Sequence, residues 1–173
     1  MTQEITKNYD GNNSSQYYYK PSDSESTKLY AGPPWDFDSG YGSYAQLHSK
    51  ALLNPTDFYI NNATGKAWCS YWWPAMYEHD DFKAEVKKVW KSSYYHAMSC
   101  LLGDETDPTG TVRSLDEYAE LIGASCAMDY VRWPRPKNPS SVAKTGQTFE
   151  ANIEYLKTWI RGRRDWLDTK WGK

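Results

Sequence analysis

Cysteine is scarce in this chain. Cys69, Cys100 and Cys126 stand far apart and form no C-x-x-C pair, which excludes a zinc framework and a full disulfide scaffold. They read as small buried hydrophobes with at most one bridge. No apolar run approaches the roughly 20 residues that a bilayer-spanning helix needs, so no membrane span is expected. A surplus of positive charge is missing too. The net charge is −2, with Lys and Arg scattered, which argues against a partner gripped through its phosphates, and no nucleic acid is expected. The one basic run, Arg161-Gly162-Arg163-Arg164, falls inside a helical pattern and is expected to be a solvated helix face. The hydrolase, zinc-protease, Walker and dinucleotide signatures are absent. His48 and His96 have no Cys or Ser partner at useful spacing. No basic-then-apolar leader opens the chain, and Met1 runs directly into what reads as the interior of a domain.

What is abundant is aromatic. The chain of 173 residues carries nine Trp and fifteen Tyr, enough for one domain with a real core or one large lobe of a bigger domain. Most of these rings fall at helical spacing and predict an aromatic core with hydrogen-bonded ring edges. A carbohydrate-stacking surface built on Trp35, Trp68, Trp72 and Trp73 is the alternative use.

Along the chain, Asp10-Gly11-Asn12-Asn13-Ser14-Ser15 is a dense polar turn. Two β-prone runs follow, Gln16 to Lys20 and Lys28 to Ala31, separated by a polar loop, and they predict a hairpin. Gly32-Pro33-Pro34 stops the second strand and presents Trp35 to Asp38 on a stiff backbone. The remainder reads as four or five helices. One around Leu47 to Leu53 ends at Asn54-Pro55. A second is capped by Asp80-Asp81 and runs to Leu102, where Gly103 stops it. Ser114-Leu115-Asp116-Glu117 is a capping box opening a helix that ends before Pro134, and Ile153, Leu156, Ile160 and Leu167 mark the closing helix.

Two acidic groups carry candidate chemistry. Asp36 and Asp38, two residues apart behind the Pro-Pro-Trp lead, suit a hard cation such as Mg²⁺, which takes oxygen ligands and keeps waters or phosphate oxygens. An ordinary Asx turn is the competing use. Asp10, with Asn12 and Asn13 close behind, can accept or orient the proton of a substrate hydroxyl, while an adjacent Asn shares a metal ion; a polar turn capping the preceding segment is its plain alternative. A calcium loop fails, because Ser15 and Pro21 stand where that pattern needs Gly and Glu. Glu78-His79-Asp80-Asp81 is explained by its place at a helix start.

These segments together resemble the CotH-type (spore coat protein H) atypical kinase family. The resemblance is carried by Glu4 to Asp10, Ser14 to Lys20, and Lys28 to Asp38 with its Trp-Asp-Phe-Asp segment, then by Gly42. Trp72-Trp73 with Phe82 and Trp90, Ser114 through Trp133, and Tyr155 through Asp168 extend it over nearly the whole chain. The resemblance implies an α+β, mainly α fold: a kinase-like C-lobe over 1–173, whose β-hairpin carries the metal-binding Asp segment, followed by four or five helices. It implies phosphoryl transfer from ATP to Ser residues of coat or secreted proteins, and a place in the spore coat, at the cell surface or outside the cell. By similarity Asp10 stands at the catalytic-loop Asp, and Asp36, with Asp38, binds Mg²⁺. Ordinary kinases place an Asn five residues after that Asp, where this chain has Ser15; Asn13 or Asn12 stands in, and Asn13 is taken as the cofactor-binding residue. The phosphate-contacting Lys, its Glu partner and the loop over the nucleotide would belong to an N-terminal lobe of the same parent, so the chain alone is expected to be inactive. An aromatic-rich carbohydrate-binding or structural coat module is the alternative.

Overall fold

The computed structural model describes residues 1–12, 15–43, 50–60, 72–134 and 148–173. The chain opens with a short helix, α1 (Thr2–Thr6), whose C-cap Lys7 is left-handed at φ 47°, and turns into a 3-10 segment at Asp10–Asn12. Strands β1 (Tyr18–Tyr19) and β2 (Tyr30–Ala31) pair antiparallel, with Tyr18 opposite Ala31 and Tyr19 opposite Tyr30. The expected hairpin is present, shorter than its β-prone runs. Stacking of the Tyr19 and Tyr30 rings at 5.3 Å is the cross-strand contact that suits such a pair.

The rest is helical: α2 (Lys50–Leu53), α3 (Trp72–Tyr77), α4 (Asp80–Val89), α5 (Tyr95–Leu102), α6 (Leu115–Arg132) and α7 (Phe149–Trp171). The single helix expected from Phe82 to Leu102 is continuous, but a π turn at Trp90–Tyr94 divides α4 from α5. Sequence periodicity over so long a run does not register one inserted residue. Gly103 ends α5 at φ 74° as expected. The expected cap is displaced: His79 occupies the N-cap without a side-chain bond, while Asp80 and Asp81 lie in the first turn, where they favour the positive end of the helix dipole. The Ser114–Glu117 capping box forms in both directions.

The core gathers Ile5, Val86, Met98, Leu102, Ile160 and Leu167 around three buried indoles, Trp90, Trp159 and Trp171. Each indole edge is satisfied. Trp90 Nε1 donates to Asp168 Oδ1 at 3.0 Å, Trp159 Nε1 to the Leu53 carbonyl at 3.1 Å, and Trp171 Nε1 to Tyr77 Oη at 2.8 Å. The aromatic core is thus as the composition implied. Trp35 and Trp72 are exposed, and Trp68 lies outside the described residues. Cys100 is buried and Cys126 half-buried, both free, and Cys69 lies outside the described residues. No described helix is long and apolar enough to cross a membrane.

The Arg161–Arg164 run corrects the expectation of a solvated face. Arg163 is 0 % and Arg164 8 % exposed. Arg163 donates to the carbonyls of Ile5 (3.2 Å), Pro55 (2.9 Å) and Asp57 (2.8 Å) and pairs with Glu4 Oε1 at 2.6 Å. Burial lowers its pKa, and the Glu4 carboxylate opposes that shift. A guanidinium is tolerated inside because carbonyls and a carboxylate meet its fork of donors, a long-range arrangement that local charge patterning does not encode.

Candidate active site

The segment Lys7-Asn8-Tyr9-Asp10 is held from below. Lys7 is 1 % exposed, and its ammonium donates to the carbonyls of Ala51 (2.9 Å), Asn54 (2.8 Å) and Thr56. Burial, then the Arg163 charge, lowers its pKa to about 8. Asn8 is fully buried. Its Oδ1 accepts from the Asp10 N–H at 3.3 Å, and its Nδ2 donates to the Asp36 carbonyl at 3.3 Å. One amide side chain therefore ties the turn that carries Asp10 to the segment that carries Asp36.

Asp36 follows β2 through Gly32-Pro33-Pro34. Gly32 is needed there, since a Cβ would lie 2.7 Å from Tyr17 Cβ and 2.8 Å from the Tyr17 carbonyl oxygen. Trp35 meets Tyr17 edge to face at 6.4 Å. Behind this segment is a cavity of about 180 Å³ walled by Pro33, Pro34, Phe37, Phe58, Phe82 and Trp171, among others. Asp36 itself sits at φ 62°, a left-handed conformation that a non-glycine residue adopts at a cost and that recurs at functional sites.

The Asp36 carboxyl lies against that of Asp38. A hydrogen bond between the two, then the Asp38 charge, raises the Asp36 pKa, with smaller contributions from burial and from the Asp10 charge. The structure thus brings Asp36 and Asp38 together in direct contact, both solvent-exposed, with Asp10 near enough to be felt. Asn13 lies outside the described residues. Among the described residues, no three His, Cys, Asp or Glu side chains converge into a ready-made metal cage. Two carboxyl groups side by side on an open surface still fit a hard cation that keeps water and phosphate in its shell.

Beyond Asp38 the loop is clamped onto α7. The Tyr41 N–H donates to the Thr6 carbonyl at 2.7 Å, and Tyr155 Oη donates to the Gly42 carbonyl at 2.9 Å. Gly42, at φ 74°, lies so close to Trp159 that a Cβ would come within 2.5 Å of the indole. None of these residues was read from sequence as a support: Gly42 entered only as part of the family resemblance, Arg163 only as part of a basic run, and Lys7, Asn8 and Tyr155 only within longer matching segments. Only the dense Lys-Asn-Tyr-Asp spelling offered a local signal.

A second cluster corrects the expectation that His96 is isolated. Cys100, one helical turn on, places Sγ 3.7 Å from His96 Nε2, and His96 Nδ1 meets the Glu105 carboxylate. Burial, and then nearby Asp107 and Glu105, raises the Cys100 pKa. A buried protonated thiol is a poor nucleophile, so the cluster reads as packing between α5 and the turn after it.

A short hairpin followed by neighbouring exposed carboxyl groups on a mainly helical base defines an α+β, mainly helical domain with an acidic surface loop. Over residues 1–167 the chain matches the CotH kinase protein family, and it belongs to that family. Comparison with curated proteins and with solved structures gave no match.

Proposed function

We propose that this chain is the C-terminal, metal-holding lobe of a CotH-type kinase domain that transfers phosphate from ATP to Ser residues of coat or secreted proteins. The observation that carries the reading is the Asp36–Asp38 carboxyl pair with the Asp10 charge beside it, in a chain that matches a kinase family nearly end to end. Phosphoryl transfer asks a protein mainly for positioning and charge neutralisation. Asp36 and Asp38 would hold Mg²⁺, which neutralises phosphate charge when bound. Asp10 would accept or orient the Ser hydroxyl proton, held in place by Asn8. Asn13, or Asn12, would share the metal. The groups that grip ATP are assigned to an N-terminal lobe of the same parent.

Magnesium titration followed by NMR tests the metal assignment. Resonances of the 36–43 segment should shift saturably, Asp36→Asn should abolish the response, and affinity should fall as the pH is lowered, because the raised Asp36 pKa lets protonation compete with the cation. A response that survives Asp36→Asn, or none at all, would overturn it. For the complete parent protein, loss of Ser phosphorylation on Asp10→Asn with Mg²⁺ affinity retained is the expected outcome; unchanged phosphorylation would overturn the role given to Asp10.

A further inference from the structure

Among the described residues, two buried side-chain polar atoms have no hydrogen-bond partner, the Gln16 Nε2 donor and the Gln3 Oε1 acceptor. Both residues line one space, the cavity of about 180 Å³ behind the Asp36 segment. Buried polar groups are normally paired, so an unmet donor and an unmet acceptor in the lining of a single cavity ask for an explanation. The orientation of the Gln16 amide is fixed by its neighbours. Its Oε1 accepts from Tyr18 Oη at 2.7 Å and from Trp73 Nε1 at 3.3 Å. Turning the amide over would set its NH₂ against the indole N–H, which can only donate.

The rest of the lining says what fits. Phe58 meets the rings of Tyr77 at 5.7 Å and Trp171 at 5.8 Å, and Tyr77 meets Phe82 at 6.5 Å. The Trp171 N–H is spent on Tyr77 Oη. Among the described residues no Lys, Arg or His side chain lines the cavity. Its one carboxylate, Glu4, is held by Arg163 and by the Tyr59 N–H at 2.9 Å. An anion would find no counter-charge there, and burying one unpaired is prohibitive, so the occupant is neutral. Tyr17, Pro33 and Pro34 also line the cavity, and their exposure opens it to solvent. We infer that this cavity is a binding site for a small neutral aromatic amide, whose carbonyl accepts from Gln16 Nε2 and whose N–H donates to Gln3 Oε1. A carboxamide carries both complements on one uncharged group, and its ring suits the surrounding aromatic edges and faces. Size agrees, because an apolar cavity of about 150 Å³ admits benzene and this one, at about 180 Å³, is larger. Neither Asp36 nor Asp38 lines the cavity, so the inference does not rest on their role in holding a cation.

NMR titration of the chain with benzamide, in metal-free buffer, tests this. The Gln16 side-chain NH₂, the Trp73 and Trp171 indole N–H and the Gly32 amide should shift saturably. Toluene, which has the ring without the amide, and benzoate, which has the ring with a negative charge, should each bind at least about tenfold more weakly, the worth of roughly one hydrogen bond. Gln16→Glu keeps an acceptor for Tyr18 and Trp73 but has no N–H to give. With circular dichroism unchanged, it should weaken benzamide about tenfold and leave toluene as it was. No saturable response to benzamide, shifts confined to residues away from the lining, or benzoate or toluene binding as tightly as benzamide would overturn the inference. So would a folded Gln16→Glu chain that binds benzamide as well as the wild type. If that variant does not fold, the three-ligand comparison on the wild-type chain decides alone.

Discussion

Replacing Arg163 by Met should cost more stability than any other single change away from the acidic loop. Arg163 links the middle of α7 to α1 and to the 55–57 segment through bonds to Ile5, Pro55 and Asp57 and its 2.6 Å pair with Glu4. Methionine keeps most of the apolar bulk, so packing changes little. What changes is that a buried carboxylate loses its cation and the backbone carbonyls lose their donor. Breaking one side of a buried ion pair typically costs about 3–5 kcal/mol. For a domain of this size each kcal/mol moves the melting temperature by roughly 2–4 °C, so a fall of about 10 °C is expected. A double-mutant cycle with Glu4→Met, read by urea unfolding, separates charge from bond count. The double variant should be clearly more stable than the sum of the single costs predicts, because two apolar residues leave no buried charge behind. A single-variant cost below about 1 kcal/mol, or costs that simply add, would refute the argument.

Lys7 gives a pH signature. Its folded pKa of about 8 lies below the ordinary 10.5, so between these values the unfolded chain holds more protons and stability rises with pH. The rise should be about 2 kcal/mol from pH 8 to pH 10, and Lys7→Met should flatten it; a flat or falling wild-type profile would sink the idea. Above pH 10 the gain is opposed, because burial raises the Tyr18, Tyr41 and Tyr155 pKa values, and such groups withdraw stability once the unfolded tyrosines ionise. Gly42→Ala combines a left-handed backbone with a Cβ 2.5 Å from the Trp159 indole. It should cost about 2–4 kcal/mol and shift Trp emission, whereas an unchanged melting temperature would show that the loop relaxes freely.

What was legible in the sequence was what local chemistry decides. The β-prone Tyr runs, the Gly-Pro-Pro stop, the Ser114–Glu117 box and Gly103 each act within a few residues, and each appears where the sequence put it. The pairing of Asp36 with Asp38 is local too. The supports beneath them are not. Lys7 finds its acceptors more than forty residues away, and Arg163 more than a hundred, so the two look from sequence like ordinary surface cations. The exposure of Leu121 and Ile122 on α6 was equally hidden, since apolar residues on a helix are ordinarily turned to a core. His96 and Cys100 were within reach of a helical-spacing argument, being four residues apart on one helix, and only the Glu105 contact required the fold.

The placement of buried charge explains how so open a site is held in position. Asp36 is exposed and adopts a left-handed backbone, so its own surroundings supply little stability. Its order is imposed through the Asn8 amide, which lies between α1 and Asp10, and through the Tyr41–Thr6 bond, which reaches the last residue of α1. This part of the chain is in turn fixed by Lys7, which reaches the 51–56 carbonyls, and by Arg163, which holds Glu4 and Ile5 of α1. Two desolvated cations are a costly way to build a core, and apolar residues could fill the same volume at less risk. What they could not do is capture the carbonyls of a non-helical segment, which need donors once buried. The cations therefore hold the irregular 54–57 backbone in the interior, Lys7 from the turn that leads to Asp10 and Arg163 from the middle of α7.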